Sequence, residues 1–134
     1  MIIVLDASAA VEVVLRRNSA QEIGASLLDA DWVVSPNLYV SEVTNAFWKY
    51  QKLADYPYDE CERNIEQAMA LPDEFMPESD LYREAFNMGC LLGHPVYDMM
   101  YLVLARRHSA ILATMDKKLG VMAKKAGVRT MPFE

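Results

Sequence analysis

The chain has 134 residues, enough for one domain with a sizeable core, and 53% of them are hydrophobic, which suits a well-filled globular interior. Its longest apolar stretches are broken by Asp6, Glu12, Asp98 or Arg106, which excludes a membrane-spanning helix, and no basic lead-in precedes the first apolar run, which argues against a signal peptide. A formal net charge of −6 weighs against a polyanionic partner, yet seven of the 13 basic residues fall between Arg106 and Arg129, so the C-terminal quarter is locally basic.

Ile2-Ile3-Val4-Leu5 has the pattern of a short strand buried on both faces, as in the middle of a parallel sheet. It ends at Asp6, and Ala7-Ser8-Ala9-Ala10 then opens a helix to Arg17 with Val11, Val14 and Leu15 on one side. Asp6 therefore lies at the carboxyl end of a buried strand, where open α/β sheets bind ligands, and it is equally well placed to cap the helix. Ser19 is an N-cap candidate for a second helix through Asp29. Trp32-Val33-Val34 reads as a second strand, and Pro36 is expected to open a third helix running to about Lys52. Around the end of that helix, Trp48, Tyr50, Tyr56 and Tyr58 gather as either a sticky surface or part of the core.

After the break at Asp55-Tyr56-Pro57, residues Tyr58 to Leu71 form an acidic amphipathic helix, and Phe75-Met76 reads as a minimal strand. Ser79 or Asp80 is expected to cap a helix that stops at Gly93, and His94-Pro95 turns the chain into another helix ending near Arg107. Ala110 to Thr114 is a buried strand, Lys117 to Ala126 is helical, and Val128-Arg129-Thr130 is a last short strand. Strands alternating with helices predict a parallel sheet in one α/β domain. Cys61 and Cys90 lack metal or redox spacing and read as small core residues in a reducing cytosol.

Four carboxylates recur where chemistry is expected. Asp116 repeats the logic of Asp6, with a β-branched strand, a turn and then a helix; capping is again the simpler alternative. Glu42 lies inside the largely apolar segment Tyr39 to Trp48 and shares a helix face with Asn45, so the pair needs a polar destination, structural or chemical. Asp98 stands in the first turn of a helix that is apolar almost all round, where a solvated capping role is uncomfortable.

Together, Asp6-Ala7-Ser8-Ala9, Ser41-Glu42-Val43-Thr44-Asn45-Ala46, Tyr97-Asp98-Met99-Met100-Tyr101-Leu102-Val103-Leu104-Ala105 and Thr114-Met115-Asp116 resemble the signature blocks of PIN-domain ribonucleases, in order and spacing along the whole chain. The size and the Tyr-Asp-x-x-Tyr-x-x-x-Ala block are most similar to VapC-type toxins of toxin–antitoxin pairs. The resemblance implies a three-layer α/β/α PIN-like domain around a five-stranded parallel sheet, with the strands carrying Asp6 and Asp116 side by side. It also implies that Asp6, Glu42, Asp98 and Asp116 converge as catalytic metal ligands, supported by Ser8, Asn45 and Thr114. A small antitoxin that blocks the acidic pocket, and a toxin homodimer, are implied as partners. Two positions depart from the pattern: Lys117 and Lys118 follow Asp116 where many relatives carry a further acid, and Met99 replaces a small residue and is expected to narrow the pocket.

Four carboxylates within ~6 Å of one another would repel by ~3 kcal/mol per charged pair at an effective dielectric near 20, so such a cluster calls for protons or cations. Oxygen donors without His or Cys select Mg²⁺ or Mn²⁺, one or two ions, over zinc. The implied reaction is hydrolysis of an RNA phosphodiester to a 5′-phosphate and a 3′-hydroxyl. Arg106, Arg107, Lys117, Lys118, Lys124 and Lys125 are the candidate RNA contacts, with solvated helix faces as the alternative. His94 and His108 read as turn or helix-end residues. Two rival readings are a non-catalytic PIN-like scaffold and an aspartate-based phosphotransfer domain; the latter lacks a second acid at Ser8 and has no use for Glu42 inside a helix.

Overall fold

The structure, a computed structural model, describes residues 1–132. Five strands, β1 (Ile2–Leu5), β2 (Trp32–Pro36), β3 (Glu74–Met76), β4 (Ile111–Ala113) and β5 (Thr130–Met131), form one all-parallel sheet in the order β3-β2-β1-β4-β5. They are linked by α1 (Ala7–Val14), α2 (Ala20–Asp29), α3 (Leu38–Ala54), α4 (Tyr58–Met69), α5 (Tyr82–Leu92), α6 (Val96–Arg107) and α7 (Lys117–Lys125).

β1 holds the centre because it can bury both faces. Ile3, Val4 and Leu5 are all fully buried, with Ile3 paired to Val33 on one side and to Ile111 on the other. Alternate residues feed opposite cores, as the period of two along a strand requires. Ile3 and Leu5 join Val11, Ile23, Val43 and Phe47 beneath α1 to α4, whereas Val4, Val34 and Leu112 join Leu81, Leu102, Leu104 and Leu119 on the α5 to α7 side. The three-layer α/β/α architecture expected from the resemblance follows. α6 has no polar face to offer along its middle: Met99 to Ala105 is buried without interruption, between the sheet and α5.

Several boundaries differ from expectation. Pro36 closes β2 instead of opening a helix, and α3 starts at Leu38. The ladder to β3 is continued by the Asn37 amide, which donates to the Met76 carbonyl at 2.9 Å, so the missing Pro36 donor costs no pairing. Ser79 and Asp80 lie in a short 3₁₀ turn and make no side-chain cap, with α5 beginning at Tyr82. Ser19 likewise makes no side-chain cap to α2. The last strand falls at Thr130–Met131, because Val128 is drawn into the core and its amide bonds the Ala123 carbonyl at the end of α7 (2.8 Å). Cys61 is buried as expected; Cys90 is exposed on α5.

Strand order reverses at β1. The chain builds outward through β2 and β3, then returns to lay β4 and β5 on the other side, which makes the β1/β4 carboxyl edge the switch point where α/β sheets open a crevice. The Asp6 amide donates to the Ala113 carbonyl at 3.0 Å, which carries the ladder one residue past β1 and sets Asp6 beside Thr114.

Candidate active site

Asp6 occupies the N-cap position of α1 but makes no side-chain cap bond. Its carboxylate turns across the sheet edge, and Oδ2 accepts from Ser8 Oγ and from Thr114 Oγ1, both at 2.7 Å. Those hydroxyls are themselves oriented: Ser8 Oγ accepts from the Met115 amide (2.9 Å) and Thr114 Oγ1 from the Asp116 amide (3.0 Å). The two βα turns are thereby tied together through one carboxylate oxygen. Burial raises the proton affinity of Asp6; the two hydroxyl bonds oppose that, while the charges of Asp98 and Asp116 add to it.

Asp116 is the acid that does cap. Oδ1 accepts from the Lys118 and Leu119 amides (2.9 and 3.2 Å) at the start of α7. Glu42 projects from α3, where Oε1 accepts from the Tyr101 hydroxyl on α6 at 2.6 Å. Desolvation, opposed by that bond and reinforced by Asp6, Asp98 and Asp116, moves the Glu42 pKa up to about 7. Asp98, in the first turn of α6, is also raised by burial and by Asp116, while His94 pulls the other way with Nε2 3.5 Å from Asp98 Oδ2.

All four acids line one open cavity of about 660 Å³, together with Ser8 and Asn45. As the side chains stand, no three His, Cys, Asp or Glu among the described residues are close enough to hold an ion in common. Each acid has one oxygen tied to a protein partner (Asp6 Oδ2, Glu42 Oε1, Asp98 Oδ2, Asp116 Oδ1) and its other oxygen outside these bonds. An all-oxygen set of mutually repelling carboxylates suits a hard divalent cation, with rotation of the side chains toward one another needed for shared ligation.

The candidate basic residues fare differently. Arg106 and Arg107 end α6, eight and nine residues beyond Asp98, about 12 Å along the axis at 1.5 Å per residue. There they face Glu84, at 3.9 and 2.8 Å. Lys117 and Lys118 are exposed at the start of α7, next to Asp116 but outside the cavity wall, and Lys124 and Lys125 lie at its far end. The cations that do line the cavity are Arg17 and Lys49. Met99 is fully buried in the core and does not narrow the pocket.

Sequence reasoning assigned no site role to Tyr101, Glu12, Arg17 or Lys49, and it read His94 as a turn residue. Two of these had a local signal: His94 lies four residues before Asp98, and Lys49 lies seven after Glu42, both same-face spacings. Tyr101 stands in the Tyr-Asp-x-x-Tyr block three residues after Asp98, but its bond to Glu42 spans 59 residues and nothing local pairs the two.

The fold and the cavity define an α/β protein with an acid-lined cleft at a strand-order switch. The chain belongs to the PIN domain family, whose model matches residues 3–125 and so spans all four acids. Ribonuclease VapC3 of Pyrobaculum aerophilum is 25% identical over 121 residues, covering 89% of this chain and 92% of that protein. Among solved structures, PAE2754 from the same organism matches with a TM-score of 0.74 and 20% identity, over 97% of this chain and 92% of that one. VapBC2 from Rickettsia felis, solved bound to a DNA fragment from their promoter, matches with a TM-score of 0.70 and 13% identity over the full length of both chains.

Proposed function

We propose that this chain is a divalent-metal-dependent endoribonuclease and the toxin of a toxin–antitoxin pair. The observation that carries the reading is the placement of Asp6, Glu42, Asp98 and Asp116, from four separate segments, around one cavity. Membership of the PIN domain family and the similarity to a ribonuclease of the VapC type support it.

In this reading the four carboxylates hold one or two Mg²⁺ or Mn²⁺ ions, whose chemistry is to lower the pKa of a bound water and to stabilise charge on a phosphoryl oxygen. Ser8 and Thr114 occupy Asp6 Oδ2, which leaves the other oxygen of the central acid for an ion. Tyr101 does the same for Glu42, and Asn45 offers an amide one helical turn further along the same wall. No separate general base is assigned.

A protein partner has surface to use: Trp48, Leu53 and Tyr58 are 57, 77 and 65% exposed at the end of α3 and the start of α4, while Tyr50 and Tyr56 are half-buried, their rings tilted against each other at 4.9 Å between centres. A small antitoxin and a second copy of the chain are the proposed occupants, in a reducing cytosol. Among the described residues no single helix is long and apolar enough to cross a membrane.

The test is Mn²⁺-dependent cleavage of a tRNA and rRNA panel, with Asp6→Asn and Asp98→Asn as controls. Wild type should leave 5′-phosphate ends and both variants, folded, should lose at least a hundredfold in rate. Equal cleavage by wild type and both variants would mean a contaminating nuclease and would leave the scaffold reading in possession.

A further inference from the structure

We propose that Arg17 and Lys49 form a phosphate subsite that seats the RNA strand beside the bond to be cut; the proposal rests on the ribonuclease reading above. The cavity does not end at the four acids. It continues along one face of α3, where Glu42, Asn45, Lys49 and Leu53 recur at spacings of three or four residues. Seven residues at 1.5 Å rise set Lys49 about 10 Å along the helix axis from Glu42. Arg17, just past the end of α1, shares this far end of the cavity.

Arg17 is held in place without being neutralised. Its guanidinium lies 5.3 Å from the centre of the Tyr50 ring and donates to the Tyr50 hydroxyl, and Tyr50 is in turn packed on Phe47 and Tyr56. Glu12, an acid in the same wall, is buried and accepts from the Ser19 amide at 3.0 Å. Among the described residues neither Arg17 nor Lys49 has a carboxylate within ion-pair distance, whereas Arg106 and Arg107 both turn to Glu84. Beyond Arg17 the surface opens into a second depression of about 410 Å³ beside Arg16, Asn18 and Gln21, which gives a strand an exit.

Charge decides the occupant. A chain of net charge −6 with four acids at the cavity head repels a polyanion, and two cations in the same cleft, Arg17 held by Tyr50 and Lys49 exposed on α3, attract it and set its register. The exposed Leu53 and the half-buried Tyr50 line the same cleft and add apolar surface on which a base can rest, the usual partner of cations in single-strand grooves. An acidic protein segment would match the cations but carries no base to lie on that apolar surface.

The experiment measures binding of a fluorescent single-stranded RNA 12-mer in EDTA, across 50 to 200 mM salt, for wild type and Arg17→Gln/Lys49→Gln. Each phosphate contact contributes about 0.7 to the slope of log affinity on log salt for a single strand, so the double variant should lose about 1.4, and its affinity should fall about sevenfold less over this range. Arg17→Lys/Lys49→Arg, which keeps both charges, should keep the wild-type slope and shows that folding is intact. A double Gln variant that keeps the wild-type slope, while wild type still cleaves RNA with Mn²⁺, overturns the subsite and leaves the ribonuclease reading standing. A slope that falls in Arg106→Gln/Arg107→Gln instead places the strand on the other sheet edge and also overturns it. Displacement of the RNA by poly-glutamate at equal charge concentration would assign the pair to a protein carboxylate, against the proposal. Wild type that neither binds nor cleaves any RNA of the panel ends both readings.

Discussion

Glu42→Gln offers the sharpest test of the electrostatics, because it removes a charge while leaving an Oε1 for the Tyr101 hydroxyl to bond. The pKa of Glu42 moves from its ordinary 4.5 to about 7, so the folded state holds the proton more tightly than the unfolded chain does. At 1.36 kcal/mol for each tenfold change in proton affinity, the full effect is ~3.4 kcal/mol. Glu42 is only half-buried, and solvent screening brings that to about 1–2 kcal/mol. The sign follows from the order of ionisation. Below pH 4.5 both states are protonated and nothing is lost. As pH rises from 4.5 to 7 the unfolded chain ionises first, so the native state loses stability, and the loss is complete above 7. Urea unfolding in EDTA should therefore show wild type and Glu42→Gln nearly matched at pH 4.5 and the variant ahead by about 1–2 kcal/mol at pH 8, several degrees in Tm for a domain of this size. Added Mn²⁺ should raise the wild-type Tm and narrow the gap. Parallel pH profiles for the two proteins, with no gain at pH 8, would refute the claim that Glu42 is strained by burial and by the other acids.

Two further substitutions separate the parts of the site. Thr114→Val preserves shape but removes the hydroxyl that donates to Asp6 Oδ2 and accepts from the Asp116 amide; it should cost about 1–3 kcal/mol in urea unfolding at pH 7, and a neutral result would show the hydroxyl bridge to be incidental. Asp116 has two duties that chemistry can divide: Asp116→Asn should keep the cap of α7 and stay within a few tenths of a kcal/mol of wild type while losing RNA cleavage, whereas Asp116→Ala should lose cleavage and ~1 kcal/mol as well. Equal stability losses in the two variants would mean that the cap is not what the carboxylate supplies.

Much of the fold was legible because its signals are local. A run of four apolar residues that stops at a carboxylate and hands over to a helix reads as a strand buried on both faces, and Ile2 to Leu5 does lie at the centre of the sheet. The continuous burial of Met99 to Ala105 was visible in the lack of any polar side on that helix. The boundaries that slipped, at Pro36 and at Val128, are places where a ladder bond or a core contact outweighed residue preference.

The site divides along the same line. From the chain alone one can see that Asp6, Glu42, Asp98 and Asp116 each sit where an acid is out of place or at a strand end. Whether such an acid caps a helix or points into a cleft depends on what lies across from it. Asp6 and Asp116 carry the same local signal; Asp116 caps, and Asp6 is turned away by a threonine 108 residues distant. That threonine is adjacent only because β4 lies against β1. The cations divide in the same way. Arg106-Arg107 and Arg16-Arg17 are the same dipeptide in the chain, yet α6 carries the first pair away from the cleft, while Arg17 is brought to it past the end of α1 and Lys49 on α3. Periodicity records how deeply a segment is buried. Strand order and helix packing decide which side chains meet, and both are set by how the whole chain packs its two cores.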